Sequence, residues 1–276
     1  MRIFIISDME GIAGITTWPQ VEGGTPLFLE ARSLYTEEIN ACVRGAFDSG
    51  ATEVVVMDCH GAGNGWDFNS LIPTELDSRC EFVVQHEWTE YTGVLEDGCD
   101  AALFIGQHAK AGTLDGGMNH TVSSTQWRSV KFNGIEVGEV GINAALCGTW
   151  NCPVLLVTGD EAVCREAREL LGDGLTTVAV KQSLGRFSAR HKSPEVARRL
   201  IYEGTVKALS DLTAVKPWSP GTPCEIEVDL ATSDHSEQFA HRPGVEVRDG
   251  RTLISRGDDW WSAWRGFFLT YVWPDE

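Results

Sequence analysis

The sequence predicts an α/β fold: a mostly parallel, Rossmann-like sheet flanked by helices, with a smaller α+β part at the C-terminal end. Three observations predict it. Short apolar runs, among them Phe4-Ile5-Ile6, Val54-Val55-Val56 and Ala101-Ala102-Leu103-Phe104-Ile105, read as strands buried on both faces. Stretches with apolar residues at helical spacing separate them, the alternation that βαβ units leave in a sequence. Several of the runs stop abruptly in polar clusters, and the C-terminal ends of parallel strands all lie along one edge of a sheet.

The elements follow in order. Residues 2–7 form the first apolar strand. Residues 27–47 carry Ala31, Leu34, Tyr35, Cys42, Ala46 and Phe47 close to helical spacing, and the pattern stops at Gly50. Residues 53–57, 81–85 and 101–106 are the next strands. Residues 126–140 read as a hairpin turning at Asn133-Gly134, and a helix follows over 138–149. Residues 153–158 make another buried strand, after which Asp160 caps a helix to about residue 171. A strand over 176–181 precedes a helix opened by Ser193-Pro194 and running to residue 209. The segment 215–222, with two prolines, reads as a linker, so the expected units are an α/β domain over 1–214 and an α+β segment over 215–276 packed on it. That segment should hold a strand (225–230), a short helix (233–240), a hairpin (245–255) and an aromatic helix (259–273) in which Trp261 and Trp264 face the core.

Composition narrows the function. Apolar residues make up 42% and charged residues 22% of the 276, which fits a folded globular chain with a substantial core. A net charge of −18 repels nucleic acid and anionic membrane, so neither is an expected partner. The eight cysteines are scattered and none stands in C-x-x-C spacing, which argues against a zinc ribbon or a disulfide scaffold. No apolar stretch is long enough to span a membrane and no signal-type segment opens the chain, so a cytoplasmic location is expected.

The polar clusters carry the chemistry. The first run ends in Asp8 and Glu10, the second in Asp58, Cys59 and His60, the third in Gln107 and His108, the fourth in Gly159 and Asp160. If the strands are parallel, Asp8, Glu10, His60 and His108 meet although they are far apart in sequence. Clustered carboxylates repel one another unless a cation lies between them. Two histidines with two carboxylates suit Zn²⁺, and less often Mn²⁺ or Fe²⁺. His120 in a Gly-rich loop and Glu139 at a predicted helix start stand near this set in the chain. On spacing alone they read as a solvated loop residue and a carboxylate favoured by the helix dipole.

Taken together, SDMEG (7–11), DCH (58–60), FIGQHAKAGT (104–113), MNH (118–120), VGEVGINA (137–144), PVLLVTGDE (153–161) and AVKQSLGR (179–186) resemble the DppA-like zinc D-aminopeptidases. The likeness covers nearly the whole chain and weakens after about residue 215. It implies two zinc ions bridged by Asp8, with Glu10 and His60 completing one site and His108 and Glu139 the other. It also implies His120 as the catalytic histidine and a ring-built homo-oligomer, a decamer. Glu136, the neighbouring carboxylate, does not fit the VGE motif. Cys59 flanks His60 and on an extended segment should point to the opposite face. Asp58 is expected to orient a ligand histidine, and Asn143 to support either the site or the helix.

The expected reaction is hydrolysis of an N-terminal amino acid, D-residues included, from a short peptide or aminoacyl amide. Alternatives are an amidohydrolase of the same fold acting on a non-peptide amide, a Mg²⁺-dependent phosphohydrolase, and a metal-holding scaffold without turnover. Phosphoryl chemistry would call for a Lys or Arg on the phosphate and few histidines, so His60 and His108 weigh against it. A scaffold has no use for an acid/base group at His120.

Overall fold

A computed structural model of the chain describes residues 1–86, 92–239 and 241–268. The predicted α/β architecture is present as a seven-stranded, mostly parallel sheet with helices on both faces, joined by a five-stranded antiparallel sheet.

The chain opens with β1 (Arg2–Ser7), whose residues Ile3 to Ile6 are at most 1% exposed. Such burial on both faces is why this strand is apolar without alternation. Helix α1 (Pro26–Asp48) starts where the Thr25 hydroxyl accepts the Phe28 N–H at 3.0 Å, with Pro26 in the first turn. It ends before Gly50, which turns the chain at φ +91°. Strand β2 (Glu53–Asp58) lies parallel to β1, and β3 (Glu81–Val83) adds outside it, ending before the expected residue 85. A single helical turn, α2 (Gly93–Glu96), which the sequence pattern does not announce, leads into β4 (Ala101–Gln107) on the other side of β1.

Next come the hairpin strands β5 (Trp127–Phe132) and β6 (Ile135–Val137). Asn133 and Gly134 between them both adopt positive φ, as a two-residue turn of this kind requires. Helix α3 (Glu139–Thr149) follows, then β7 (Val154–Asp160) and α4 (Glu161–Leu171), where Asp160 Oδ1 caps the helix by accepting the Val163 N–H at 2.9 Å. Strand β8 (Thr176–Gly185) runs past the expected end at Lys181 and folds back into β9 (Ser188–His191), an antiparallel edge strand with no apolar period in the sequence to announce it. Helix α5 (Pro194–Leu209) begins after Ser193, whose side chain makes no capping bond. The order in this sheet is β3-β2-β1-β4-β7-β8-β9. Helices α1 and α5 pack together on one face, and α3 and α4 on the other.

Strand β10 (Cys224–Leu230), helix α6 (Ser233–Glu237), strands β11 (Val245–Val247) and β12 (Thr252–Gly257) and helix α7 (Trp260–Phe268) complete the described chain. The second sheet has the order β11-β12-β10-β5-β6, so the hairpin of residues 127–137 pairs with strands from beyond residue 215. Helix α7 packs on β10 and β12 and reaches α3. Helix α6 ends at Glu237 and residues 238–239 form a turn, so it stops short of the expected end at 240; Ala240 itself, and the expected continuation of the last helix from 269 to Trp273, lie outside the described residues. Among the described residues no helix is long and apolar enough to cross a membrane.

Candidate metal centre

Strand order reverses between β1 and β4: from β1 the chain steps outward to β2 and β3, and from β4 to β7 and β8. Ligands of open α/β sheets bind at the carboxyl ends of strands beside such a reversal. Asp8 and Glu10 follow β1, His60 follows β2 and His108 follows β4. Glu139 arrives from the other direction, in the first turn of α3. His120 comes in on the loop between β4 and β5. All six side chains meet.

Asp8 sits at the centre. Its Oδ1 is 3.2 Å from His60 Nδ1 and its Oδ2 is 3.3 Å from His108 Nε2. Glu10 Oε2 is 3.2 Å from the same His60 nitrogen, and Glu139 Oε1 is 3.3 Å from His108 Nε2 and 3.7 Å from His120 Nε2. The rings of His108 and His120 stack at 4.0 Å with 10° between their planes. Donor atoms of Asp8, Glu10 and His108 lie within 4.8 Å of one another, as do those of His108, His120 and Glu139.

The outward nitrogens decide what the inward ones can do. His60 Nε2–H donates to the Val21 carbonyl at 2.8 Å, His108 Nδ1–H to the Ala109 carbonyl at 3.0 Å, and His120 Nδ1–H to the Met118 carbonyl at 2.9 Å. In the neutral tautomer each ring then turns a lone pair toward carboxylates, an arrangement that is repulsive unless a cation lies between. Asp8 Oδ2, Glu10 Oε2 and His108 Nε2 are buried and have no hydrogen-bond partner among the described residues. Buried polar atoms are seldom left so. The set of carboxylate oxygens and imidazole nitrogens therefore fits a divalent cation of the zinc type.

The electrostatics agree. Burial alone would raise the Asp8 carboxyl, but His108 and His60 outweigh it and hold the group well below the usual carboxylate range. Burial would lower both imidazoles, yet Glu10 and Asp8 around His60, and Glu139 and Asp8 around His108, hold them well above the ordinary value. Such a site keeps positive charge inside it, carried by protons when no metal is bound.

Several residues outside the expected set fix the backbone around the centre. Lys181 at the sheet-buried part of β8 donates Nζ hydrogens to the carbonyls of Glu10, Ile12 (3.0 Å) and Ile15 (2.8 Å). Burial lowers its pKa to about 8, so at neutral pH it remains the ammonium ion that three acceptors require. Glu38 on α1 accepts the Ala13 N–H at 2.9 Å in the same loop. Gly106, at φ +75°, lies so close to β1 that a β-carbon would collide with the Asp8 carbonyl oxygen. Asp160 Oδ2 accepts the Gly117 N–H at 2.8 Å and the Ser183 hydroxyl at 2.7 Å, anchoring the loop that carries His120.

Asp58 does not orient a ring. Its Oδ1 accepts the backbone N–H of His60 at 3.1 Å and the Tyr35 hydroxyl at 3.0 Å, so it braces main chain. The ring of His60 takes its orientation from the Val21 carbonyl instead. Cys59 lines the cavity over the centre rather than facing away, because β2 ends at Asp58 and strict alternation ends with it. Burial raises the Cys59 thiol well above its ordinary pKa, which makes it a poor competitor for metal. Glu136 is exposed on β6, and Asn143 lines the cavity from α3. Trp260 and Trp264, not Trp261, form the buried stripe of α7; Trp261 is half-buried against Trp150 at 5.1 Å.

The chain is similar to known proteins along nearly its whole length. The family described as D-aminopeptidase matches residues 1–269. A D-aminopeptidase of Bacillus subtilis (strain 168) is 36% identical over 254 residues, covering 92% of this chain and 90% of the relative. Among solved structures, one similar to this chain is described as the Zn-dependent D-aminopeptidase DppA from Bacillus subtilis, a self-compartmentalizing protease. It superposes with a TM-score of 0.89 at 32% identity, over 98% of this chain and 96% of that one.

Proposed function

The chain belongs to the D-aminopeptidase family of peptidases, and on that premise we propose that it is a zinc-dependent aminopeptidase removing N-terminal D-residues from short peptides or aminoacyl amides. One observation carries the reading: three imidazoles have their outer nitrogens tied to backbone carbonyls while their inner nitrogens face a shared set of carboxylates.

Two zinc ions would be held, with Asp8 shared between them, Glu10 and His60 on one side and His108 and Glu139 on the other. The approach of the two Asp8 oxygens to two different imidazoles supports this division. When bound, zinc supplies Lewis acidity to a carbonyl and raises the acidity of water. The chain itself supplies the proton handling. The Met118 carbonyl holds the Nδ1–H of His120, which leaves Nε2 free to take a proton from the attacking water and pass it to the leaving amine. Stacking on His108 and the edge of Trp18 at 5.5 Å fix the plane of that ring. The buried carboxylates balance the cationic charge of the site, and the burial of Asp8, Glu10, His60 and His108 keeps bulk water from it.

The test is hydrolysis of D- and L-aminoacyl p-nitroanilides with and without chelator. Chelation should abolish turnover and zinc should restore it; turnover indifferent to chelation removes the reading. His120→Ala should keep its zinc content while losing roughly 10²- to 10⁴-fold in kcat. Loss of zinc from that variant would instead make His120 a ligand. The relative described as self-compartmentalizing supports a closed homo-oligomer here too, a ring-built decamer of 30.2 kDa chains, which sedimentation would weigh.

A further inference from the structure

The cavity over the metal centre has two unlike halves. Asp8, Glu10, His60, His120 and Glu139 line one; Phe68, Val122, Ile142, Leu146, Trp260 and Trp264 line the other. The space is about 180 Å³, close to the roughly 150 Å³ that holds a benzene ring in an apolar protein cavity. Among the described residues no lysine or arginine lines it, and the histidines that line it belong to the ligand cluster, so an acidic side chain in the apolar part would find no ammonium or guanidinium partner there.

The apolar half is rigid. Trp260 and Trp264 are 3% and 4% exposed and stack on each other at 5.3 Å with 18° between their planes. Phe132 of β5 meets both edge-on, at 5.7 and 6.1 Å. Helix α7 is in turn seated on β10 and β12. Rings packed in this way do not collapse to follow a small occupant, so a methyl side chain would leave part of the cavity unfilled.

We infer that the wall formed by α3 and α7 selects substrates whose N-terminal residue bears a bulky apolar side chain, with aromatic residues foremost. The ligand cluster and the apolar residues line one cavity without a spacer, so the side chain beside the scissile carbonyl is within reach of the apolar half. This inference rests on the aminopeptidase reading. Trp260, Trp264, Ile142 and Leu146 are then specificity-determining residues, supplied by helices rather than by the strand-end loops that carry most of the ligands.

The zinc-loaded enzyme is assayed on D-phenylalanine and D-alanine p-nitroanilides. In parallel, zinc-loaded His120→Ala is titrated calorimetrically with D-phenylalaninamide and D-alaninamide, which reads selection without turnover. The phenylalanine substrate should lead by at least about 100-fold in kcat/KM, since a single methylene in an apolar pocket is worth about 10- to 200-fold. The amide affinities should fall in the same order. Leu146→Phe, which fills the apolar half, should cut the preference at least about tenfold. Trp264→Phe, which widens it while keeping an aromatic ring, should favour still larger side chains such as D-tryptophan. Equal kcat/KM and equal affinity for the two residues would overturn the inference and leave the aminopeptidase reading standing, as would a preference unchanged in both variants. Selective binding of D-phenylalaninamide without hydrolysis of any substrate would uphold the pocket and overturn the aminopeptidase reading.

Discussion

His60, His108 and His120 each give one ring nitrogen to a backbone carbonyl and turn the other toward carboxylates. For the two buried rings this has a consequence in pH. Without metal, Glu10, Glu139 and Asp8 overcome the effect of burial and hold His60 and His108 well above the unfolded value of about 6.5. The folded state then binds more protons than the unfolded chain. The stability these pairs contribute is full below about pH 6.5 and is lost as pH rises through the raised values. Zinc displaces the same protons, so its affinity climbs over that span. Thermal unfolding under chelator should therefore show Tm falling with pH above about 6.5, while the gap between zinc-loaded and chelated protein widens. A gap that narrows with rising pH would contradict the assignment. Asp8, Glu10, His60 and His108 are legible in the sequence because polar residues that interrupt apolar runs mark strand ends. Glu139 and His120 are not, since a helix start and a loop have no period, and only the family resemblance singles them out. Lys181 escapes notice for another reason: its partners are main-chain carbonyls, which leave no trace in a side-chain pattern.

At the scale of elements, the ends of β1 and β4 are brought together by the absence of a side chain. Gly11 donates its N–H to the Gly106 carbonyl at 2.8 Å, and Gly106 packs against the Asp8 carbonyl in a left-handed conformation. Gly106→Ala adds both strain and a collision at the residue that anchors the cluster. It should destabilise the protein by more than about 1 kcal/mol and lower the zinc bound per chain, read by denaturant unfolding and metal analysis. Unchanged stability and full zinc content would show that β4 can shift without disturbing Asp8. The parallel strands are readable from their unbroken apolar runs, and α1 from its period and caps. The pairing of β5 with β10 is not, because antiparallel partners nearly a hundred residues apart share no local signal. The edge strand β9 is also unreadable, its four residues alternating between exposed and half-buried with no apolar face.

Over the whole molecule the charge of −18 opposes any association of like chains. Surface charges are screened within about 10 Å at 0.1 M salt. Assembly should therefore tighten as salt rises from about 0.02 to about 0.3 M, with sedimentation moving toward the larger species. Assembly that loosens instead would mean that complementary charges, and not apolar contact, hold the chains together.

The clustered carboxylates and imidazoles are drawn from residues 8 to 139, whereas the tryptophan wall of the cavity comes from α7, more than a hundred positions later. Part of the cavity wall is thus written in a later tract of the gene than that cluster, although Ile142 and Leu146 lie within a few codons of Glu139. Exchanging the later tract between homologues should re-tune which amino acid is accepted while every codon of the carboxylate and imidazole cluster stays as it was.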